Sequence, residues 1–161
     1  MLEDRPLDPA VQDRQAFVCG VPALDEYLHR FAEQHRRRGI SAAYVLVDTS
    51  APGTILGFYT LSAAEVDVER LSAADRKRLP KFPVPCFRLG RLAVHRSQQG
   101  LGLGKLLVAC AVDRSLKARQ QVAAYALVVD AKDETAKAFY AHFGFRPMAD
   151  AALTLYLPLG H

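Results

Sequence analysis

The sequence predicts an α/β protein with one mixed, twisted central sheet and helices on both faces of that sheet. The segments Phe87–Val94 and Ala123–Val129 are predicted as buried strands, and the second, AAYALVV, is a continuous apolar run that is typical of a strand covered on both faces. A segment with helical character follows each of them, at Gly104–Lys117 and Lys132–His142. A predicted β-hairpin at residues 41–61 precedes them. The order helix, two strands, basic segment, strand, helix, strand, helix, strand defines this fold class.

Length and composition indicate an ordinary globular protein. With 161 residues the chain can bury a substantial core, and we expect residues 1–161 to form a single domain. No apolar run approaches the roughly 20 residues that span a membrane, and the polar N-terminus is unlike a signal peptide. Three cysteines without paired spacing fit reduced thiols, so we expect a cytoplasmic protein. The five histidines are scattered, and no metal site is expected.

The N-terminal elements are predicted from spacing and from helix-ending residues. Residues 1–16 form a loose segment or an edge strand. Leu24, Leu28 and Phe31 recur on one helical face, and Gly39 ends that helix after basic residues in its last turn. A hairpin should follow, made of a strand, a proline-containing turn and a second strand at Ser41–Asp48, Thr49–Gly53 and Ile55–Leu61.

The middle and C-terminal parts are predicted in the same way. Residues 63–68 either extend the hairpin or form a further strand, and residues 69–80 form a short basic helix or an irregular connection. Pro83 and Pro85 exclude a central strand over the sequence KFPVPC. After the second helix, which Gly144 stops, a last strand is expected at Leu153–Leu159, with the sequence LTLYLPL.

A glycine-rich turn connects the central strand to its helix and is the strongest functional signal. The first turn of a helix carries unpaired backbone N–H groups and the positive end of the helix dipole. Gly100, Gly102 and Gly104 remove side chains where those amides point. The turn therefore predicts a seat for an anion, with a pyrophosphate as the best fit.

Spacing separates three motifs that share such a turn. A P-loop fails because Gln99 and Leu106 stand where its first glycine and its Ser or Thr belong. A dinucleotide fingerprint fails because Lys105 occupies its last glycine position. The pattern Q/R-x-x-G-x-G/A fits at Gln99, Gly102 and Gly104. A tight turn before an ordinary helix remains the alternative for this pattern alone.

The third pattern resembles the pyrophosphate loop of the GNAT superfamily of N-acetyltransferases, which use acetyl-coenzyme A. A second motif of that family, N-x-x-A-x-x-x-Y followed by G-F, is matched downstream at Asp133, Ala136, Tyr140, Gly144 and Phe145. The first position is Asp instead of Asn, which is a departure from the family pattern. Two motifs in the right order imply the GNAT fold, acetyl-coenzyme A as co-substrate and no metal.

The resemblance also implies the site residues. The strand end at Leu92–Val94 would splay from its neighbour and offer backbone groups to pantetheine and to the acetyl carbonyl. The implied cofactor-binding set is Leu92, Ala93, Val94, Gln99, Gly100, Leu101, Gly102, Leu103, Gly104, Lys105, Asp133, Ala136 and Phe139. Tyr140 is the candidate general acid that protonates the thiolate leaving group. For a general base, Glu65, Asp67 and Asp130 stay open; an α-amine, with a pKa of about 8, needs less help than a lysine.

Beyond these two motifs, the similarity covers nearly the whole chain. The segments at Phe17–Leu28, Arg91–Val94, Gln99–Leu107, Ala131–Phe145 and the closing LTLYLPL are similar to acetyltransferase toxins of bacterial type II toxin–antitoxin modules. The resemblance implies direct acetyl transfer, in a ternary complex, to the α-amine of aminoacyl-tRNA, which blocks translation. It also implies an antitoxin with a ribbon-helix-helix DNA-binding part, and a homodimer.

Charge is compatible with a nucleic-acid partner. The formal net charge is +4 and the isoelectric point is about 9.1. The candidate tRNA-binding residues are Arg36, Arg37, Arg38, Arg76, Lys77, Arg78, Arg88 and Arg91. These runs could instead be solvated faces, in which case the enzyme would acetylate a small amine or a protein N-terminus. A non-catalytic acyl-coenzyme A-binding module is the remaining alternative.

Overall fold

The computed structural model describes residues 1–160, which contain seven strands and five α-helices. The strands are β1 (Leu2–Pro6), β2 (Ala42–Asp48), β3 (Gly57–Val66), β4 (Val84–Val94), β5 (Ala126–Asp130), β6 (Arg146–Pro147) and β7 (Thr154–Pro158). The helices are α1 (Pro22–Glu26), α2 (Ala32–Arg37), α3 (Ala73–Arg76), α4 (Leu103–Ala118) and α5 (Glu134–Ala141). A π-helical turn (Tyr27–Phe31) joins α1 to α2, and 3₁₀ turns occupy Val68–Arg70 and Arg96–Gln98.

The strands form one sheet with the order β1-β2-β3-β4-β5-β7-β6. The pairing of β4 with β5 is parallel, whereas β1 with β2, β2 with β3, β5 with β7 and β6 with β7 are antiparallel. A parallel pair needs a long crossover, and α4 lies on the chain between β4 and β5. The predicted mixed sheet with helices is therefore confirmed.

The chain divides into two compact units, residues 1–62 with 90–113, and residues 63–89 with the chain from Arg114 onward.

The first unit is built on a three-stranded antiparallel meander. Its registers run from Leu2↔Asp48 to Pro6↔Tyr44 and from Ala42↔Leu61 to Leu46↔Gly57. The N-terminal segment thus forms the edge strand that was one of the two predicted alternatives. Alternate β2 residues point into an apolar core, as a period of two requires. That core contains Leu7, Phe17, Cys19, Tyr27, Leu28, Ala32, Ala43, Val45, Val47, Ile55, Phe58 and Ala93.

The first helical segment differs from its prediction on one point. Leu28 is fully buried, but Phe31 is 37% exposed, and Ala32 is buried in its place. The cause is the π-helical turn, in which the Ala32 amide donates to the Tyr27 carbonyl. An i to i+5 bond adds one residue to the turn, so the buried face moves one position along the chain.

The second unit contains β5 with β7 and the short β6 on one side, and the first half of β4 on the other. The β4–β5 register runs from Cys86↔Ala126 to Leu89↔Val129. Strand β6, which pairs Arg146 with Tyr156, has only two residues and carries no alternation that sequence reasoning could find. The core of this unit contains Val66, Val68, Leu71, Val84, Cys86, Ala126, Val128, Met148 and Tyr156.

The expectation that prolines exclude a central strand over KFPVPC is wrong. Strand β4 begins at Val84 and includes Pro85, and β4 lies in the middle of the sheet order. Pro85 contributes its carbonyl, which accepts a hydrogen bond of 2.7 Å from the Tyr125 amide. A proline near the first residue of a strand is tolerated because no ladder donor is required of it there. The other open choices are settled too: β3 runs on as one strand to Val66, and residues 69–80 contain the short helix α3.

Within the described residues, no helix is both long and apolar enough to cross a membrane.

One buried hydroxyl gives a stability prediction. Thr60 is 1% exposed, and its Oγ1 has no hydrogen-bond partner among residues 1–160. An unsatisfied buried hydroxyl destabilises a folded protein, so replacing it with a methyl group of similar size should help. We expect Thr60→Val to raise the free energy of unfolding by about 1 kcal/mol, measured by urea denaturation.

The same substitution at a satisfied hydroxyl is the control. Thr154 Oγ1 donates to Asp130 Oδ1 at 2.8 Å, so Thr154→Val should not be stabilising. If Thr60→Val destabilises the protein as much as Thr154→Val does, the Thr60 hydroxyl is not an unpaired group.

Candidate active site

The glycine turn in the first unit has the geometry of an anion seat. Gly100 and Gly102 have φ of +85° and +82°, and a Cβ at either position would meet no heavy atom within 4 Å. The positive φ explains why glycine is needed, and the open space leaves the amides accessible. The first intrahelical bond of α4 runs from the Leu106 amide to the Gly102 carbonyl, at 3.2 Å. The amides just before Leu106 are therefore the free donors of the helix N-terminus.

Gln99, the first residue of the loop motif, braces the loop with its side chain. Its Nε2 donates to the Cys19 carbonyl at 2.7 Å and to the Val94 carbonyl at 3.1 Å. Both side-chain N–H groups are thus used inside the protein. The Gln99 side chain holds the loop against the end of β4, and its backbone amide is the N–H donor left for the predicted cofactor contact.

The N-terminal segment that carries FVCG shapes this loop from the other side. The Arg96 amide donates to the Val18 carbonyl at 2.7 Å, and the Cys19 amide donates to Asp25 Oδ1 at 2.8 Å. Gly20, which has a φ of +97°, makes the turn between Cys19 and α1. Sequence reasoning recognised this segment only by resemblance and did not find its role. The available signal was Asp25, an acid in the first turn of α1, where it can accept from preceding amides.

The strand end at Leu92–Val94 continues beyond the parallel pairing. The register of β4 with β5 stops at Leu89↔Val129, whereas β4 itself extends to Val94. Backbone groups after Leu89 thus have no partner in the β5 register, which is the pattern that a splayed strand end produces. Such groups can bind the amides of an extended ligand.

In the second unit, α5 carries the second motif. Asp133 is its N-cap, and its Oδ1 accepts from the Ala136 amide at 2.8 Å. Asn and Asp are equally good N-caps, so the departure from the family pattern keeps the helix start intact. Since the carboxylate is used for capping, the side-chain contact to a cofactor that the resemblance implied has no support from this geometry.

This cap leads to a second stability prediction. Asp133→Ala should lower the free energy of unfolding by about 1 kcal/mol, because the Ala136 amide loses its acceptor, whereas Asp133→Asn should be nearly neutral. Thermal denaturation of the three proteins checks this. Equal stability of the alanine and asparagine variants would contradict the capping role.

Tyr140 lies near the end of α5 and is 9% exposed. Its ring packs edge-on against Phe139 and Phe145, with centroid distances of 5.2 and 5.6 Å. Burial raises the pKa of Tyr140 to about 12. Its hydroxyl makes no hydrogen bond to the described part of the chain, so it is available to a ligand. A phenol with this pKa keeps its proton at neutral pH.

The predicted basic surface residues differ in whether an acidic side chain pairs with them. In the first unit, Arg36 and Arg37 both pair with Glu33, at 2.5 and 3.2 Å, whereas Arg38 has no side-chain partner in residues 1–160. The Arg91 guanidinium lies 3.6 Å from the centroid of the Tyr27 ring, a cation–π contact that fixes its direction.

The second unit shows the same contrast. Arg88 pairs with Asp130 at 2.6 Å. Because Asp130 is one of the candidate general bases, this ion pair also occupies the carboxylate of that candidate. Arg76, Lys77 and Arg78 form no ion pair inside the described chain and remain free to bind an anion. No group of three or more metal-ligating side chains occurs among residues 1–160.

Comparison with known proteins agrees with this geometry. Residues 41–147 match the family model of the acetyltransferase (GNAT) domain. Over 133 residues the chain is 37% identical to a tRNA-acetylating toxin of Mycobacterium tuberculosis, covering 83% of this chain and 78% of the relative. The chain belongs to the GNAT family, and the predicted acetyltransferase class is confirmed.

Two solved structures are similar over almost the full length. AtaT complexed with acetyl-methionyl-tRNAfMet has a TM-score of 0.90 and 34% identity, covering 98% of this chain and 95% of that one. A tyrosine-to-phenylalanine variant of the AtaT toxin, bound to the C-terminus of the antitoxin AtaR and acetyl-CoA, has a TM-score of 0.82 and 32% identity, covering 98% and 93%. The similarity to this group of toxins, predicted from the motifs, is confirmed.

Proposed function

We propose that this protein is a toxin that transfers the acetyl group of acetyl-CoA to the α-amine of the amino acid on charged tRNA. One observation carries this proposal: the chain matches AtaT, solved with an acetylated aminoacyl-tRNA, over 98% of its length with a TM-score of 0.90. Acetylation removes the nucleophile needed for peptide-bond formation, and translation would stop. We propose that the whole chain acts as one acetyltransferase domain.

The pyrophosphate of acetyl-CoA would bind at the glycine turn. The open amides before Leu106 and the φ values of Gly100 and Gly102 support this placement. Lys105 is exposed there and can add a positive charge. The backbone at Leu92–Val94, which lies beyond the β5 register, would bind the pantetheine amides and polarise the acetyl carbonyl.

Tyr140 would serve as the general acid. The amine nitrogen attacks the acetyl carbonyl carbon, the C–S bond breaks, and the leaving sulfur takes a proton while the amine loses one. The Tyr140 hydroxyl has no hydrogen-bond partner among residues 1–160, and burial keeps the phenol protonated at neutral pH, so its proton can be donated to the leaving sulfur. Of the candidate bases, Asp130 is already occupied by Arg88 and Thr154, so an α-amine that is partly neutral at pH 7 suits the site.

The same similarity supports further proposals about partners. We infer that the protein is held inactive by an antitoxin of the ribbon-helix-helix class, works as a homodimer and is cytoplasmic. The antitoxin partner is supported by the AtaT–AtaR complex.

Acetyl transfer from labelled acetyl-CoA tests the function directly. The acceptors are a pool of charged tRNA, the same tRNA after deacylation, and free amino acids. We expect label on charged tRNA alone. Label on small amines but not on charged tRNA would leave the enzyme class standing and remove the toxin assignment.

The basic run next to α3 has its own test. Reversing the charges of Arg76, Lys77 and Arg78 to glutamate should lower the affinity for charged tRNA at least tenfold and reduce the slope of log affinity against log salt. Filter binding at several salt concentrations measures both quantities.

The control is a triple glutamate variant at Arg36, Arg37 and Arg38. Because Glu33 already engages two of these arginines, we expect a smaller effect there. An unchanged salt slope in the first variant would show that its surface does not contact tRNA.

A further inference from the structure

The second unit contains a cleft whose lining includes no residue of the glycine turn or of α5. Its volume is about 550 Å³, within the range of small-molecule sites. Five of its lining side chains are ionisable or aromatic: Asp75, Arg78, Arg119, Tyr125 and Arg146. Three guanidinium groups facing one cleft are unusual without a negatively charged ligand, since like charges repel.

Among residues 1–160, one of these positive charges has an acidic partner inside the cleft. Arg146 Nη1 lies 2.6 and 2.7 Å from the two carboxylate oxygens of Asp75. The Asp75 carboxylate also accepts from the hydroxyls of Tyr156 and Ser72. Burial disfavours its charged form, but these hydrogen bonds outweigh burial and hold the pKa of Asp75 below its ordinary value. Asp75 is therefore a saturated anion, and the described lining residues, with three arginines and one aspartate, carry a surplus of two positive charges.

The other two arginines are placed for an external anion. Arg119 is held rigidly, because its Nε and Nη1 donate to the carbonyls of Ala124 and Leu159, each at 3.2 Å. Gly160 permits this position, since a Cβ there would lie 2.9 Å from the guanidinium. The Arg78 guanidinium is exposed and has no partner among residues 1–160. Preorganised and unpaired guanidinium groups are what phosphate recognition requires.

Tyr125 adds an aromatic wall. Its backbone is fixed on both sides, by the bond from its amide to Pro85 and the bond from the Leu159 amide to its carbonyl, at 2.7 and 2.9 Å. Its side chain is half-buried, and its hydroxyl has no hydrogen-bond partner within the described residues. A rigid ring next to a phosphate site is the arrangement on which nucleobases stack.

We propose that this cleft is a nucleotide site, in which Arg78 and Arg119 bind the phosphate and the Tyr125 ring stacks on the base. The nucleotide is either free or part of an RNA strand. This inference does not depend on acetyl transfer, and its test uses no acceptor and no turnover.

The test is calorimetric titration of the full-length protein with AMP and with inorganic phosphate. Saturating coenzyme A is present throughout, so that the glycine turn is occupied. We expect AMP to bind more tightly than phosphate, because stacking adds to the phosphate contacts. Arg78→Ala should weaken AMP binding about tenfold, since a charged hydrogen-bond donor is lost. Tyr125→Leu should weaken it about fivefold or more, whereas Tyr125→Phe, which keeps the ring, should stay close to wild type.

Lys81→Ala is the matched control. It removes one positive charge three residues away from Arg78, outside the cleft lining, and should leave AMP binding within about twofold of wild type. The proposal is overturned if AMP does not bind, if Lys81→Ala and Arg78→Ala weaken it equally, or if phosphate binds as tightly as AMP. Displacement of AMP by deacylated tRNA would assign the nucleotide to an RNA strand, and lack of displacement would assign it to a free nucleotide.

Discussion

Replacing Tyr140 with phenylalanine is expected to lower kcat for acetyl transfer to charged tRNA about a hundredfold or more. The magnitude is that of a lost general acid. The thiolate would then leave without a proton, while the ring keeps its packing against Phe139 and Phe145. Initial rates with labelled acetyl-CoA, at saturating concentrations of both substrates, measure the effect.

Two controls separate chemistry from folding in this variant. The Tyr140 hydroxyl has no protein partner in residues 1–160, so the melting temperature and the Kd for coenzyme A should both stay close to wild type. A large fall in the melting temperature, or a large rise in the Kd for coenzyme A, would assign the tyrosine a structural role. Unchanged kcat would exclude it from proton transfer.

The pH profile of the wild-type enzyme follows from the same residue. A general acid acts in its protonated form, and a pKa raised to about 12 keeps Tyr140 protonated throughout the range in which the amine titrates. The rate should therefore rise through the amine pKa of about 8 and show no fall up to about pH 9 that depends on Tyr140. A decline in that range that is absent from Tyr140→Phe would contradict the raised pKa.

Gln99→Glu should raise the KM for acetyl-CoA about tenfold or more, with a smaller change in kcat. A carboxylate cannot donate to the carbonyls of Cys19 and Val94, which Gln99 Nε2 reaches at 2.7 and 3.1 Å, and it repels both of them. The loop would move away from the end of β4, and its amides would no longer converge on the pyrophosphate. Steady-state kinetics with varied acetyl-CoA measure this split.

Gln98→Glu is the matched control for the charge itself. It places the same negative charge one residue away, where the side chain amide makes only a 3.4 Å contact with Ser97 Oγ. If both variants raise KM equally, electrostatic repulsion of the pyrophosphate explains the result and the brace does not. Gln99→Ala, which removes the donors without adding charge, should lie between wild type and Gln99→Glu.

Much of the fold could be predicted because its signals are local. The continuous apolar run that becomes β5 reflects its burial, since four of its five residues are buried. Spacing alone excluded two of the three anion-binding motifs at the glycine turn. The helix α4, predicted from about Gly104 to Lys117, spans Leu103–Ala118, and Gly100 and Gly102 have the positive φ that their place in the motif requires.

The sequence by itself determined the family, the order of the main elements and the positions of the glycine turn and Tyr140, because each depends on short-range periodicity or motif spacing. Only the tertiary structure decided which donors and acceptors meet. The brace from Gln99 to Cys19 joins residues 80 positions apart in sequence, and the contact of Arg146 with Asp75 joins residues 71 apart. Likewise, Pro85 lies in a central strand whose neighbour comes from a later segment, where the Tyr125 amide donates to the Pro85 carbonyl. Such pairings are set by chain packing, and no local pattern encodes them.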